Sequence, residues 1–158
     1  KLQLIVNRDS LTGLLNHKTI ISNLETLIQT ETVNSIFLFD IDHFKVVNDN
    51  YGHQVGDEVL EKISSILHKE EKIISGRYGG EEFLILLPNT DLPEAITLAN
   101  NISAQIKALT FKQNFTITVS GGVTTSRLSN ATKMIRIADK LLYQAKSAGR
   151  SQSISEYC

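Results

Sequence analysis

The sequence has one cysteine, Cys158, and one methionine, Met134, among 158 residues. A single cysteine closes no intramolecular disulfide and supplies no thiolate zinc site, which suits a reducing cytoplasm. No apolar run approaches the roughly 18 residues that suggest a membrane span, and the N-terminus has no signal-peptide pattern. A charge excess is lacking too. The 16 basic and 17 acidic side chains leave a formal charge of -1, without the basic surplus of a nucleic-acid binder. Internal repeats, low-complexity tracts, Pro/Gly/Ser-rich linkers, a Walker A loop, a GxGxxG pattern and a Ser-His-Asp arrangement are all missing. The chain therefore reads as one soluble domain, long enough to bury about two thirds of its unfolded surface. Lys1-Leu2-Gln3-Leu4-Ile5-Val6 begins without methionine and reads as the end of an upstream segment. Residues 1–8 are accordingly expected to be a linker or signalling helix and residues 9–158 the domain. A cytoplasmic domain with no membrane contact of its own is expected, in a parent protein that membrane anchoring elsewhere would not contradict.

What is present is a strong alternation of patterns. Ile20, Ile21, Leu24, Leu27 and Ile28 recur at spacings of three and four, as in an amphipathic helix. Ser35 to Asp42 is apolar on both alternating faces up to Asp40, which predicts a central strand. Residues 43–54 read as a loop or short helix, and Val59, Leu60, Ile63, Ile66 and Leu67 mark a second helix. A hairpin follows, Ile73-Ile74 and Phe83 to Leu87 flanking Arg77-Tyr78-Gly79-Gly80-Glu81-Glu82. There the glycines are expected to supply positive φ for the turn. Asp91-Leu92-Pro93-Glu94 opens a third helix, Phe115 to Ser120 alternates as a strand, and a last helix runs from about Ala131 to Ser147 with Met134 as core filler. From Ser35 to Ser120 the order is strand, helix, strand, strand, helix, strand. This predicts an α+β fold with a ferredoxin-like βαββαβ core and extra N-terminal and C-terminal helices. In that topology the hairpin's second strand inserts beside the first, so the turn lies at the C-terminal end of the first strand.

That placement matters for three acids. Glu81 and Glu82 alone would suit a solvated turn, and Asp40 alone a strand end facing water. Neighbouring strands about 4.8 Å apart bring all three together, and hard oxygen ligands of this kind suit magnesium or manganese better than zinc. Such a cation commonly completes its shell with phosphate oxygens. Lys146 and Arg150, four apart near the end of the last helix, are expected on one face, where they either satisfy the helix dipole or hold phosphate. Lys45 adds a third cation. Asn48 and Asp57 could read a base edge by hydrogen bonding, although Asp57 could equally cap the second helix. His53 lies with them, whereas His17 and His68 carry no functional signal.

Taken together, Asp9-x-Leu11-Thr12-Gly13-Leu14-x-Asn16, Phe39-Asp40-Ile41-Asp42-His43-Phe44-Lys45, Asn48-Asp49, Gly52-His53, Gly56-Asp57 and Gly79-Gly80-Glu81-Glu82-Phe83 closely resemble the GGDEF family, the diguanylate cyclases. The match runs from about Asp9 to Arg150 in the GGEEF form. The resemblance implies a core like that of nucleotide cyclases and polymerase palms. It also implies condensation of two GTP molecules to cyclic di-GMP with release of two pyrophosphates, each 3′-hydroxyl attacking an α-phosphate. Each domain of the family holds one GTP, so a homodimer, stable or transient, is implied, and an upstream sensory domain in the parent chain is expected. Carried over by position, Asp40, the Ile41 carbonyl, Glu81 and Glu82 would bind magnesium, and Glu81 would accept the 3′-hydroxyl proton. Lys45 would stabilise developing phosphate charge, and Lys146 and Arg150 would hold the triphosphate. Asn48 and Asp57 would recognise guanine, His53 would line the pocket, and Gly79 and Gly80 would leave room for the nucleotide.

Three positions depart from the family pattern. Glu70-Glu71-Lys72-Ile73 occupies the place of a common Arg-x-x-Asp product-inhibition motif, which is therefore expected to be absent. His17 stands where arginine is common and Ser151 where asparagine is common. Two alternatives are a noncatalytic GTP-binding regulatory domain and a relative making adenine-containing cyclic dinucleotides. Retention of every signature acid and lysine argues against the first, and Asp57 against the second.

Overall fold

In the computed structural model, which describes residues 7–158, the expected central strand is Asn34–Ile41 (β1), and all eight of its residues are buried. Alternation divides its apolar side chains between two cores. Phe37, Phe39 and Ile41 face a layer built with the helices at residues 53–68 and 92–107, whereas Ile36 and Leu38 face the helices at residues 17–27 and 131–147. The sheet is therefore covered on both faces. Phe37, Phe39 and Phe83 are fully buried, and cutting any of them to alanine would cost about 3 to 5 kcal/mol.

The remaining elements follow in order: α1 His17–Leu27 before β1, then α2 Phe44–Tyr51, α3 His53–His68, β2 Ile74–Arg77, β3 Glu82–Leu87, α4 Leu92–Lys107, β4 Val119–Ser126, α5 Ala131–Ser147 and β5 Ser153–Tyr157. The sheet order is β2-β3-β1-β4-β5. β3 is antiparallel to β1 and β2, β4 is antiparallel to β1, and β5 runs parallel to β4. The first four strands form the expected βαββαβ core, with β3 inserted between β1 and β2. Asn16 caps α1 by accepting from the Thr19 N–H, and Asp91 caps α4, with Pro93 in its first turn. The segment left open between loop and helix is α2, ended by Gly52 at φ 90°. The predicted start of the domain at residue 9 has Asn7 beside it, whose carbonyl accepts from the Asn16 N–H at 2.9 Å; residues 1–6 of the proposed linker lie outside the described residues. Among the described residues no helix is long and apolar enough to cross a membrane.

Two features differ from expectation. The strand predicted over 115–120 is β4, beginning at Val119 and running through Gly121-Gly122. Those glycines are needed for close approach: a Cβ on Gly121 would strike the Phe37 ring, and one on Gly122 would strike the Ala138 carbonyl of α5. The second is β5, which extends the C-terminal addition beyond the predicted helix. Its sequence, Ser-Ile-Ser-Glu-Tyr, carries too little apolar alternation to signal a strand, and it pairs with β4 alone at the sheet edge.

Candidate functional site

The end of β1 is where the acids meet. Asp40 is opposite Glu82 of β3 and Ser120 of β4, and the next residue, Ile41, donates its N–H to the Glu81 carbonyl at 3.2 Å. Sheet register thus brings Asp40, Ile41, Glu81 and Glu82 to one end of the sheet. The turn between β2 and β3 is closed by the Tyr78 and Gly79 N–H groups donating to the Glu82 carbonyl at 2.8 and 3.1 Å. Neither Gly79 nor Gly80 takes positive φ, so the expected reason for glycine in this turn is wrong. Of the two, only Gly79 is crowded within the chain. A Cβ on Gly79 would stand 2.9 Å from a Glu82 carboxylate oxygen, and one on Gly80 would project into open space.

Asp40 is 7% exposed and accepts from the Lys146 ammonium at 2.6 Å through Oδ2, while its buried Oδ1 has no partner. Burial first, then the Asp40 charge, push the Glu81 carboxyl up to about 7, with Lys146 pulling the other way. Burial and the charges of Asp40 and Asp139 also raise Glu82. Among the described residues no three His, Cys, Asp or Glu side chains are gathered as a ready-made cation cage. The donor set nevertheless suits a hard divalent cation, because an orphaned carboxylate oxygen and a crowded, desolvated glutamate both gain from added positive charge.

Lys146 and Arg150 do not share a helix face. α5 ends at Ser147, and Gly149, Arg150 and Ser151 take φ values of 114°, 65° and 50°, so the spacing rule fails once the helix stops. Lys146 enters the acidic group, whereas Arg150 lies in the exposed turn beyond it. That turn is tied down by Asp42, which sequence reasoning left without a role. Buried Asp42 accepts from the Thr118 hydroxyl at 2.7 Å, the Ser120 hydroxyl at 2.6 Å and the Ser151 N–H at 3.0 Å. The closeness of Asp42 to Asp40 in the sequence was the available signal, but its partners are 76 or more residues away.

A cleft of about 520 Å³ opens beside the turn, lined by Lys45, Asn48, His53, Asp57, Gly80 and Glu81 together with Phe44, Asp49, Leu60 and Arg77. The short helix α2 supplies Lys45 and Asn48, and the first turns of α3 supply His53 and Asp57. Asp57 is inside α3, whose N-cap is Gly52, so it does not cap that helix. Gly56 lets the helices meet, since a Cβ there would collide with the Asn48 amide. Lys45 has a side chain 87% exposed and pairs with Asp49 of its own helix at 2.9 Å. Arg77 is a second residue the sequence did not single out. Its guanidinium holds Asp9 at 3.1 Å and donates to the Gly80 carbonyl at 2.8 Å, joining the N-terminal loop to the signature turn. Only the tertiary fold brings those 68 residues of separation together.

The chain matches the family model described as diguanylate cyclase, GGDEF domain, over residues 6–152. It is 34% identical over 161 residues to the response regulator PleD of Caulobacter vibrioides, an alignment covering 94% of this chain and 36% of PleD. Against the diguanylate cyclase VdcA of Vibrio cholerae it is 37% identical over 153 residues, covering 91% of this chain and 45% of VdcA. It thus spans less than half the length of these curated relatives. Among solved structures, the GGDEF domain of DgcB from Caulobacter crescentus, in complex with c-di-GMP, superposes with a TM-score of 0.90 at 28% identity, covering 98% of this chain and 96% of that one.

Proposed function

The chain belongs to the GGDEF family, and from that premise we propose that it condenses two GTP molecules to cyclic di-GMP and two pyrophosphates. The observation that carries this reading is the meeting of Asp40, Glu81, Glu82 and Lys146 at one end of the sheet, beside a cleft lined by Lys45, Asn48 and Asp57. Asn48 and Asp57 present an amide and a carboxylate to the guanine edge, and His53 closes the pocket beside them. Gly79 and Gly80 let the nucleotide approach the turn. Glu81, at the turn beside the cleft, is placed to take the 3′-hydroxyl proton. Lys146 holds phosphate charge at the sheet end, Lys45 leaves Asp49 to do so from the opposite wall, and Arg150 binds the triphosphate from the turn after α5. Asp40, the Ile41 carbonyl, Glu81 and Glu82 would hold magnesium or manganese, which when bound activates the attacking oxygen and neutralises phosphate charge.

One cleft takes one GTP, so two copies face each other in turnover. The domain acts in the cytoplasm as one part of a longer protein that also carries a sensory part, since it spans less than half the length of the curated relatives it matches. Feedback through an Arg-x-x-Asp site is absent. Glu70, where that arginine would stand, borders a pocket of about 220 Å³ with Arg8 and His68, and its charge repels product phosphates. Submicromolar, noncompetitive inhibition by cyclic di-GMP would overturn this last point. The main test is to incubate the chain with GTP and magnesium over a range of protein concentrations and quantify cyclic di-GMP by mass spectrometry. Specific activity should rise with concentration as pairs form. Tight GTP binding with no product at any concentration would favour the regulatory alternative instead.

A further inference from the structure

Helix α2 delivers Lys45 and Asn48 to the cleft, yet little within it holds it in place. It has eight residues, its N-cap His43 makes no capping hydrogen bond, and the chain leaves it through Gly52 at φ 90°. A helix this short does not persist unaided in water. Its far end is gripped from outside. Tyr51, the last residue of α2, stacks on Phe115 with ring centroids 4.8 Å apart and planes inclined by 13°. Phe115 in turn stacks on Phe111 at 4.5 Å and 9°, and the Lys62 ammonium of α3 lies 4.6 Å from the Phe111 centroid while donating to the Thr110 carbonyl at 2.7 Å. This row joins the end of α2 to α3 through the connection between α4 and β4. Because β4 begins only at Val119, Phe115 is free of the ladder and available for the stack.

We propose that Phe115 is a positioning residue for base recognition. By holding Tyr51 it fixes α2 against α3, so that Asn48, seated over Gly56, stays aligned with Asp57. The inference rests on the reading of the cleft as a guanine site. Asn48 and Asp57 come from different helices, and a shift between those helices separates the two groups that would read one base. Lys146, on α5, lies outside the row. Lys45, the phosphate cation on α2 itself, is 87% exposed on a long flexible side chain and tolerates a small shift of its helix, so loss of the stack should damage the choice of base more than the grip on phosphate.

The test compares the unaltered chain with Phe115→Ala, Phe115→Tyr, Tyr51→Ala and the double alanine variant, measuring GTP and ATP affinity by calorimetry and amide exchange across residues 44–51. Phe115→Ala should weaken GTP binding about tenfold and ATP binding less than about twofold, while Phe115→Tyr stays within about twofold of the unaltered chain. Tyr51→Ala should match Phe115→Ala, the double variant should be no worse than either, and exchange should accelerate in α2 but not in β1. Equal weakening of both nucleotides, additive effects, or unchanged GTP affinity in Phe115→Ala overturns the proposal. Should Phe115→Ala fail to fold, Tyr51→Ala, at a helix end and 38% exposed, decides the same question. Failure of the unaltered chain to bind GTP sinks the nucleotide reading and this inference with it. Normal binding there with unchanged variants sinks this inference alone.

Discussion

At the sheet end Asp40 is 7% exposed and paired with Lys146 from a different element, whereas across the cleft Lys45 has a side chain 87% exposed and pairs only within its own helix. The first region is set by strand register and desolvated, so its charges act on one another: burial first, and then the Asp40 charge, raise both Glu81 and Glu82. The second stands on the short helix α2 and the first turns of α3, and among the described residues Asn48 and Asp57 make no side-chain hydrogen bond. A group fixed and dehydrated before substrate arrives suits transition-state electrostatics, where reorganisation is costly. A group still in water suits recognition, because it exchanges one hydrogen-bond partner for another. Substitutions should separate the two regions accordingly.

The largest effect is expected at Glu81. Glu81→Gln removes the proposed base and a ligand charge with almost no change in volume, and turnover should fall by about 100-fold or more while the melting temperature holds. Near-normal cyclic di-GMP formation would break the comparison at its centre. A paired experiment sharpens it further. Asp42→Ala strands two hydroxyls and the Ser151 N–H, which should cost about 3 kcal/mol and lower the melting temperature by roughly 6 to 12 °C. Asp57→Ala should leave melting nearly unchanged and reduce the preference for GTP over ATP about tenfold in competition binding. Equal melting losses in the two variants would mean that the regions are not built differently.

The same contrast explains what the sequence made legible. Asp40, Glu81 and Glu82 were predictable as neighbours because β1 and β3 are strongly patterned and the right-handed crossover leaves one way to arrange them. Lys45, Asn48, His53 and Asp57 were also identified, and they do share a cleft, although the boundary between the short helix α2 and α3 lies at Gly52 and not after residue 54. Arg77 and Asp42 were missed because their partners, Asp9 and Ser151, are remote in the chain and no periodicity reports such a pairing. Arg150 was misplaced because a helical spacing was extended beyond the end of the helix. β4 was set too early since the alternation from Phe115 stops at Ser120, and only the Phe37 ring and the Ala138 carbonyl show why the strand continues through Gly121-Gly122.

The joint between Asp9 and Arg77 borders both regions, and acid should test it. Burial acts to raise the Asp9 carboxyl, but hydrogen bonds from the Thr12 hydroxyl and N–H and from Arg77 outweigh it, so the folded value lies below the ordinary one. A depressed carboxyl contributes stability above its unfolded pKa and loses it as pH falls through the folded value. Both side chains are about one-fifth exposed, so the difference between the unaltered chain and Asp9→Asn should be only about 1 kcal/mol at pH 7. Urea titrations should show that difference shrinking below about pH 4. A difference that persists in strong acid would mean Asp9 acts through packing and not through charge.

The smallest effect is expected where the sequence departs from the family pattern in the turn after α5. Ser151 sits at φ 50° behind Gly149 and Arg150, also left-handed, and a serine there costs about 1 kcal/mol that asparagine partly avoids through local hydrogen bonding. Asp42 is held through the Ser151 backbone N–H, which the side chain does not alter. Ser151→Asn should thus stabilise the chain by about 0.5 kcal/mol and raise the melting temperature by roughly 1 to 2 °C, with turnover unchanged. A gain in stability accompanied by lost turnover would mean that the strained turn moves during the reaction, and the sheet-end region would then be less rigid than its hydrogen bonds imply.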